Sequence, residues 1–521
     1  IVSGLSNSST NNNKTIISGE DNNVNTNNNA GVIGKSHQVT NSNYSFTQGI
    51  TNTLNNSSKS VVFGLGNNLS ATEQSIVQGN AHVATNNQNV AIFGSTNNLN
   101  QEDNSLAIGN TNNIDFGEDS FYGGKNNTIQ TTKQSIVVGT SNVSNTNTNS
   151  AVFGKSNGVS SSTETIVVGD NITEQNGKQN ALFGEGHVSV SSEGTLITGK
   201  DNDISGTTKY SAIIGETHNI TGAIKSLTVG NNNTITSSEK SASFGQELTI
   251  KSTSHNTVAT GNASVINTST NSLITGFGHN ETGSTNTVVM GKTNITLNSN
   301  QVLVTGQNNT SSNSLNTFVN GALNQTTDSS GVLISGTKNN VSGTTKRSVV
   351  FGFQNTELGG EGNLILGSLN SVSSGDNSLI GGVGNQSANE DASLIYGELN
   401  NSTASTNSLI IGKSNKLNTN SELAVFGQSH DISGTSIRSL VNGFDVHANN
   451  IQNTIISGRE HRIFASDSVA SFGRDNIVNT TKNTLISGIQ NDVENTEHSA
   501  VLGGYNDVSG NTLYSIVGGR S

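Results

Sequence analysis

The sequence predicts an all-β fold, a parallel β-solenoid or β-roll of about 34 stacked turns of 15 residues with an occasional 16. Three observations carry this expectation. First, glycine recurs every 15 residues from Gly4 through Gly94, Gly109, Gly139 and Gly154 to Gly199. The register then slips by one residue only at 199–215, 245–261, 336–352, 427–443 and 503–519, so that one column, which includes Gly412, holds 35 of the 59 glycines. Second, two apolar and often β-branched residues precede nearly every column glycine, as in a strand. Third, proline is absent from all 521 residues, which suits a chain that is almost all paired strand, because proline removes a ladder donor.

An unbroken register leaves no place for separate cores, so residues 1–521 read as one continuous domain. The 30% of apolar residues would suggest disorder if they were scattered, but they fall in columns. At about 4.8 Å per stacked strand, the turns would make a rod of roughly 160 Å. The chain opens inside a repeat at Ile1-Val2-Ser3-Gly4 and stops two residues after Gly519, so it is expected to be a fragment of a longer protein. No signal peptide and no apolar run of about 18 residues occurs in it, and any leader or anchor is expected outside it.

Within one turn, positions are counted from the column glycine as zero. Position −3 is apolar in 34 of 35 turns, as at Leu106, Ile136 and Leu409, and position −2 in 31 of 35, as at Ala107, Val137 and Ile410. Alternate side chains of a strand point to opposite faces, so both faces are expected to be covered: one by the solenoid interior, the other by a partner sheet. Positions −3 and −1 share a face and compensate in volume. Of eight Phe residues at −1, six have Ala at −3, among them Phe153, Phe183 and Phe426. This exchange is what a confined, close-packed layer demands, so a real core is expected on that side, with these residues read as core or trimer interface.

Position +3 is Asn in 23 of 34 turns, as at Asn97, Asn112, Asn142, Asn157 and Asn415. With the glycine it is expected to form a corner that reverses the chain, Asn tolerating the left-handed region and its amides bonding along the column. Position −4 is Ser or Thr in 26 of 34 turns and shares a face with −2, so it should be buried or interfacial; this argues against an ice-binding face. A second apolar position at +5 marks a shorter strand, and the remainder, for example around Asn147, is expected to be an outward polar loop. Fifteen residues are few for three sides, so a flat two-sided coil is favoured. Four of the five 16-residue turns share a segment such as Asp203-Ile204-Ser205-Gly206-Thr207-Thr208-Lys209-Tyr210-Ser211. It reads as an extra loop residue or as a repeated contact patch.

At this point the residues resemble a family, the heads of trimeric autotransporter adhesins with YadA-like repeats of the type Asn-Ser-Val-Ala-Ile-Gly. The resemblance rests on Asn104-Ser105-Leu106-Ala107-Ile108-Gly109 and Asn407-Ser408-Leu409-Ile410-Ile411-Gly412 and recurs along the chain. It implies a left-handed roll, three chains packed as a homotrimer, display on a bacterial cell surface, and attachment to host, matrix or neighbouring cells. The 15-residue period and the Asn or His after the glycine depart from the prototype's pattern, which places its collagen ligand in doubt. A purely structural extracellular filament is the alternative function.

Other chemistries are weighed against this reading. Seven of ten histidines, including His37, His82 and His218, fall at +3 and read as Asn substitutes at the corner. Glu102 with Asp103, Glu118 with Asp119, and Glu390 with Asp391 read as solvated surface acids. With no Cys, no recurrent acid cluster and no Gly-rich loop opening a helix, neither catalytic residues nor a metal or cofactor site is expected. A net charge of −12 without a basic stripe argues against nucleic acid, and no direct membrane contact is expected in this region.

Overall fold

The computed structural model describes residues 1–520 and, among them, contains strands and turns but no helix. It is a parallel β-solenoid of about 35 turns. The chain divides into two units, Ile1–Ala263 and Ser264–Ser521. In the first, five-residue strands such as Leu106–Asn110 and Phe121–Lys125 alternate with three-residue strands such as Asn113–Asp115 and Thr128–Gln130. Each pairs in parallel with its equivalent one coil on, at a constant offset: Leu106 with Phe121, Gly109 with Gly124, Ile114 with Ile129. The second unit repeats the plan, as in Leu409–Lys413 beside Ala424–Gln428 and Lys416–Asn418 beside Asp431–Ser433.

The coil has a third short side. Residues at +9 form their own parallel bridges, Gln88 to Asp103 to Glu118 to Lys133 in one run. The segment expected as an outward loop is therefore part of the wall, and the coil is not two-sided. At Asn300–Gln307 and Leu315–Ala322 this third side even merges with the long strand. Three left-handed corners per turn explain how 15 residues suffice: Thr111 (φ 58°), Phe116 (φ 59°) and Asp119 (φ 54°) in one coil, at +2, +7 and +10. Each bends the backbone within a single residue. The extra residue of the 16-residue turns sits at the second corner, as at Ser252 and Thr253, both with positive φ.

The column glycine has a different duty. Gly109, with φ 137°, lies so close under the next coil that a Cβ built on it would fall onto the carbonyl of Gly124. No other residue fits a backbone packed this tightly in this conformation.

Five positions per turn point inward: −4, −2, +3, +5 and +8. Ala107, Val137 and Ile410 at −2 are fully buried, with Ile114, Ile129 and Leu417 at +5 facing them. Ser105, Ser135, Ser150 and Ser408 at −4 are buried beside them. Asn147, at +8, is also buried, its Nδ2 donating to Val159 O at 2.9 Å and its Oδ1 accepting the Ser162 N–H at 2.9 Å. It is wall, not loop, because the corner at Thr146 turns it inward.

These placements predict unequal costs on the two faces of one strand. Val137→Asp puts an unpaired carboxylate among apolar neighbours and should lower stability by on the order of 3 kcal/mol. Thr140→Asp, on the exposed end of the same strand, should change it by less than about 0.5 kcal/mol. Asn147→Ala, which leaves two backbone groups unpaired, should cost about 2 kcal/mol. Denaturant melts of the three variants check the ranking, and equal effects would refute the inward assignment.

Candidate functional site

Two features have a chemistry of their own: the corner ladders inside the coil and the apolar outer face of the long strands.

The ladders follow from the corners. A left-handed residue swings the next residue inward and carries its N–H away from the backbone acceptors of the adjacent coil. At +3 the side chain replaces them. Asn97 Oδ1 accepts the Asn112 N–H at 3.0 Å, and Asn112 Oδ1 accepts the Asn127 N–H at 3.1 Å. The Asn112 amide meanwhile donates to the carbonyl of Gly124 at 3.1 Å. Asn142, Asn157 and Asn415 repeat the contact to Gly154, Gly169 and Gly427 at 3.0, 2.9 and 3.1 Å. These asparagines are not themselves the left-handed residues. That conformation lies one position earlier, at Thr96, Thr111, Ser141, Ser156 and Ser414.

Six histidines at +3 perform the same task. His37 Nδ1 accepts the Asn52 N–H at 3.0 Å, His82 that of Asn97 at 3.1 Å and His218 that of Asn233 at 3.1 Å. His187, His279 and His430 match them at 3.3, 3.1 and 3.2 Å. An accepting Nδ1 carries no proton, so these rings are neutral with the hydrogen on Nε2, which faces a carbonyl such as Ile33 O at 3.1 Å. His461 differs: its Nδ1 faces the Ser471 hydroxyl at 3.2 Å. Burial lowers the pKa of all seven below the usual 6.5, against the raising effect of the nearby carbonyls.

The +8 ladder contains two of the acids expected at the surface. Glu102 and Glu390 are buried, because +8 points inward, while their neighbours Asp103 and Asp391 face outward. Glu118 and Asp119 remain at the surface as expected. No group of three or more His, Cys, Asp or Glu capable of holding a metal ion occurs among the described residues.

The outer face of the long strands is apolar. Leu106, Ile136, Phe153, Phe183, Leu409 and Phe426, at −3 and −1, are at least partly exposed on it, Ile136 at 41% and Phe183 at 38%. The size-matched layer is therefore outside the chain, not in its core; the inward side of the strand belongs to −2 and −4. A shallow groove of about 810 Å³ runs along this face past Ile76, Ala91, Leu106, Phe121 and Ile136. Near Phe351 the apolar character also spreads to +1 and +2, with Phe353, Leu369, Val383 and Leu399 all exposed.

The 16-residue turns carry a contact motif. Just after the insertion a Tyr or Arg occupies the third corner and meets a residue of the preceding or following turn: Tyr210 Oη with Glu193 at 3.3 Å, Arg347 with Glu361, Arg438 with Glu422 at 3.0 Å, and Tyr514 stacked on His498 at 4.9 Å. Exposed pairs of this kind contribute little stability.

A scan against protein families and a search of curated proteins both return no match to the chain.

The neutral histidines give a pH dependence of definite sign. Their folded values lie below 6.5, so the stability they provide is complete above 6.5 and is lost as the pH falls through the folded values. His82→Asn and His218→Asn, which install the residue usual at +3, should keep the ladder and reduce the loss of stability between pH 6.5 and 4.5. Thermal melts across that range check this, and an unchanged pH profile would contradict the tautomer assignment.

Proposed function

We propose that the chain is the head of a bacterial cell-surface adhesin, a homotrimeric fibre that attaches to host, matrix or neighbouring-cell molecules by repeated weak contacts. The observation that carries this reading is the apolar outer face. Apolar side chains at −3 recur in nearly every turn outside the chain, and six of the eight Phe residues at −1 stand beside Ala at −3. Solvent places no such demand on shape; a second surface does. Copies of the same chain supply it, because an isologous or cyclic neighbour carries the same repeat and meets each layer with an equal one. The repeat pattern of trimeric autotransporter heads supports three copies, a left-handed coil, one continuous head and an extracellular position.

Adhesion rather than catalysis is the reading favoured by the surface chemistry. The polar corners repeat along the coil without converging on one pocket, and many equivalent weak contacts give avidity. On this reading neither a cofactor nor nucleic acid takes part.

Light scattering of the purified chain should give three times the chain mass. Ile136→Glu combined with Phe183→Glu should shift the protein toward monomer while leaving the circular dichroism of the coil intact. A wild-type chain that stays monomeric at high concentration, with these side chains in water, would overturn the assembly. Failure of the trimer to adhere to any cell or matrix surface would leave the filament role as the function.

A further inference from the structure

Five glutamates lie inside the coil. Glu102 and Glu390 occupy the +8 column; Glu174, Glu281 and Glu357 occupy +5, where Val, Ile or Leu is usual. None is more than 1% exposed. In each, Oε1 is engaged. It accepts the Gly117 N–H at 2.6 Å in Glu102 and the Ser405 N–H at 3.1 Å in Glu390. Asn180 Nδ2 donates to Glu174 at 2.8 Å, and Ser272 and Thr287 hydroxyls to Glu281 at 2.5 and 2.6 Å. Ser348 Oγ and Asn363 Nδ2 donate to Glu357 at 2.7 and 3.0 Å. In all five, Oε2 has no hydrogen-bond partner.

The surroundings are fitted to these side chains. A Cβ on Gly117 would collide with the Glu102 carboxyl, and one on Gly177 with that of Glu174. Asn180 and Asn363 are the only asparagines in a −4 column otherwise dominated by Ser and Thr, and they are the residues that donate to Glu174 and Glu357. Among the described residues no cation balances the five. Among the groups that bear on them only Asp115 and Tyr122 titrate, both at Glu102, and neither supplies positive charge. A buried carboxylate with one oxygen unpaired is far costlier than a neutral carboxyl whose carbonyl oxygen accepts the bonds observed.

We propose that these five side chains form a pH-sensitive device built into the solenoid. Their carboxyls are neutral while the coil is closed, and their ionisation loosens the turns that hold them. The coil is then tighter in mildly acidic surroundings than in neutral or alkaline ones. The inference concerns single coils and holds whatever the number of copies assembled.

The direction follows from linkage. Desolvation raises Glu102, Glu174 and Glu357 to about 7 and Glu390 to about 6 from the usual 4.5, and raises Glu281 as well. The stability of the closed turn is complete below 4.5 and falls as the pH rises to the folded value, after which it is constant. A difference between 4.5 and about 7 corresponds to on the order of a hundredfold in the opening equilibrium of one turn. The neutral histidines act in the opposite direction and only below 6.5, so the two effects separate by residue and by pH window.

Hydrogen exchange of the whole chain, corrected for the intrinsic effect of pH on amide chemistry, tests this at pH 5.5 and 8. Peptides around Glu174 and Glu357 should open at least tenfold more often at pH 8, whereas residues 136–150, which hold no interior glutamate and do not pair with a strand that holds one, should not. Glu357→Gln should abolish the response at its own coil and leave that at Glu174. A uniform response along the chain, or one that persists in the Gln variant, would overturn the proposal. A second measurement needs no variant: infrared spectra with isotope-labelled glutamate at pH 6 should contain a neutral-carboxyl band, and its absence would overturn the proposal equally.

Discussion

The structure depends on one constraint: a backbone that turns through a left-handed corner must find new partners for the N–H it carries inward. This happens three times per coil, after residues such as Thr111, Phe116 and Asp119. Where the inward residue is polar, its side chain accepts the N–H of its counterpart one coil on in many coils. Asn112 does so for Asn127, Glu102 for Gly117, and Ser120 for Ser135. The abundance of Asn, Ser and Thr in a chain this apolar-poor is thus the structural requirement itself. Between the three polar ladders lie only two apolar columns, −2 and +5, and they close the interior. Stability of such a coil is distributed as nearest-neighbour terms, so loss of one rung is felt first by its own turn.

That arrangement explains what could be read from the residues and what could not. The glycine column and the alternation at −2 and −3 are strong signals because only glycine fits the spacing at Gly109 and because β-branched residues cluster in strands. The +8 column had no such signal. Its occupants, among them Asn147, Glu102, Ser162 and Thr132, are types equally common on surfaces, and nothing in their identity reveals that Thr146 or Gln101 before them turns them inward. The left-handed residues themselves are as varied as Thr111, Ser141, Leu399 and Asp201, so the sequence pattern points to the more regular Asn one place later. One further signal lies in the sequence. The two asparagines at −4, Asn180 and Asn363, follow the only turns that combine Glu at +5 with Gly at +8, and that covariation marks a buried acid.

The outer face poses the complementary question. Inside the coil, −2 is mostly β-branched; outside, −3 and −1 exchange bulk with each other in many turns, Ala151 with Phe153 and Leu273 with Thr275. A free surface tolerates any sum of volumes, and an interior already filled by −2 and +5 has no influence on side chains pointing away from it. On the proposed reading, the exchange reflects a limit set by a second surface packed on this face. This is the physical basis for reading the face as an interface, and it stands apart from the likeness of the repeat to adhesin heads.

The same corner task is done inside the coil by groups that differ in their chemistry toward protons. Asn accepts at any pH. His accepts only while its Nδ1 is bare, as His37 does for Asn52, and so fails in acid. Glu102 accepts with one oxygen and has nothing to offer the negative charge on the other, and so fails in base. A column built of Asn alone would have been indifferent to pH, and Asn is the residue most readily placed there. Where His or Glu stands instead, the turn keeps its geometry but acquires a limit, acidic for one and alkaline for the other. Apart from the coil after Gly276, where His279 and Glu281 stand together, the two residue types occupy different coils, so the limits apply locally while the Asn turns between them hold the register.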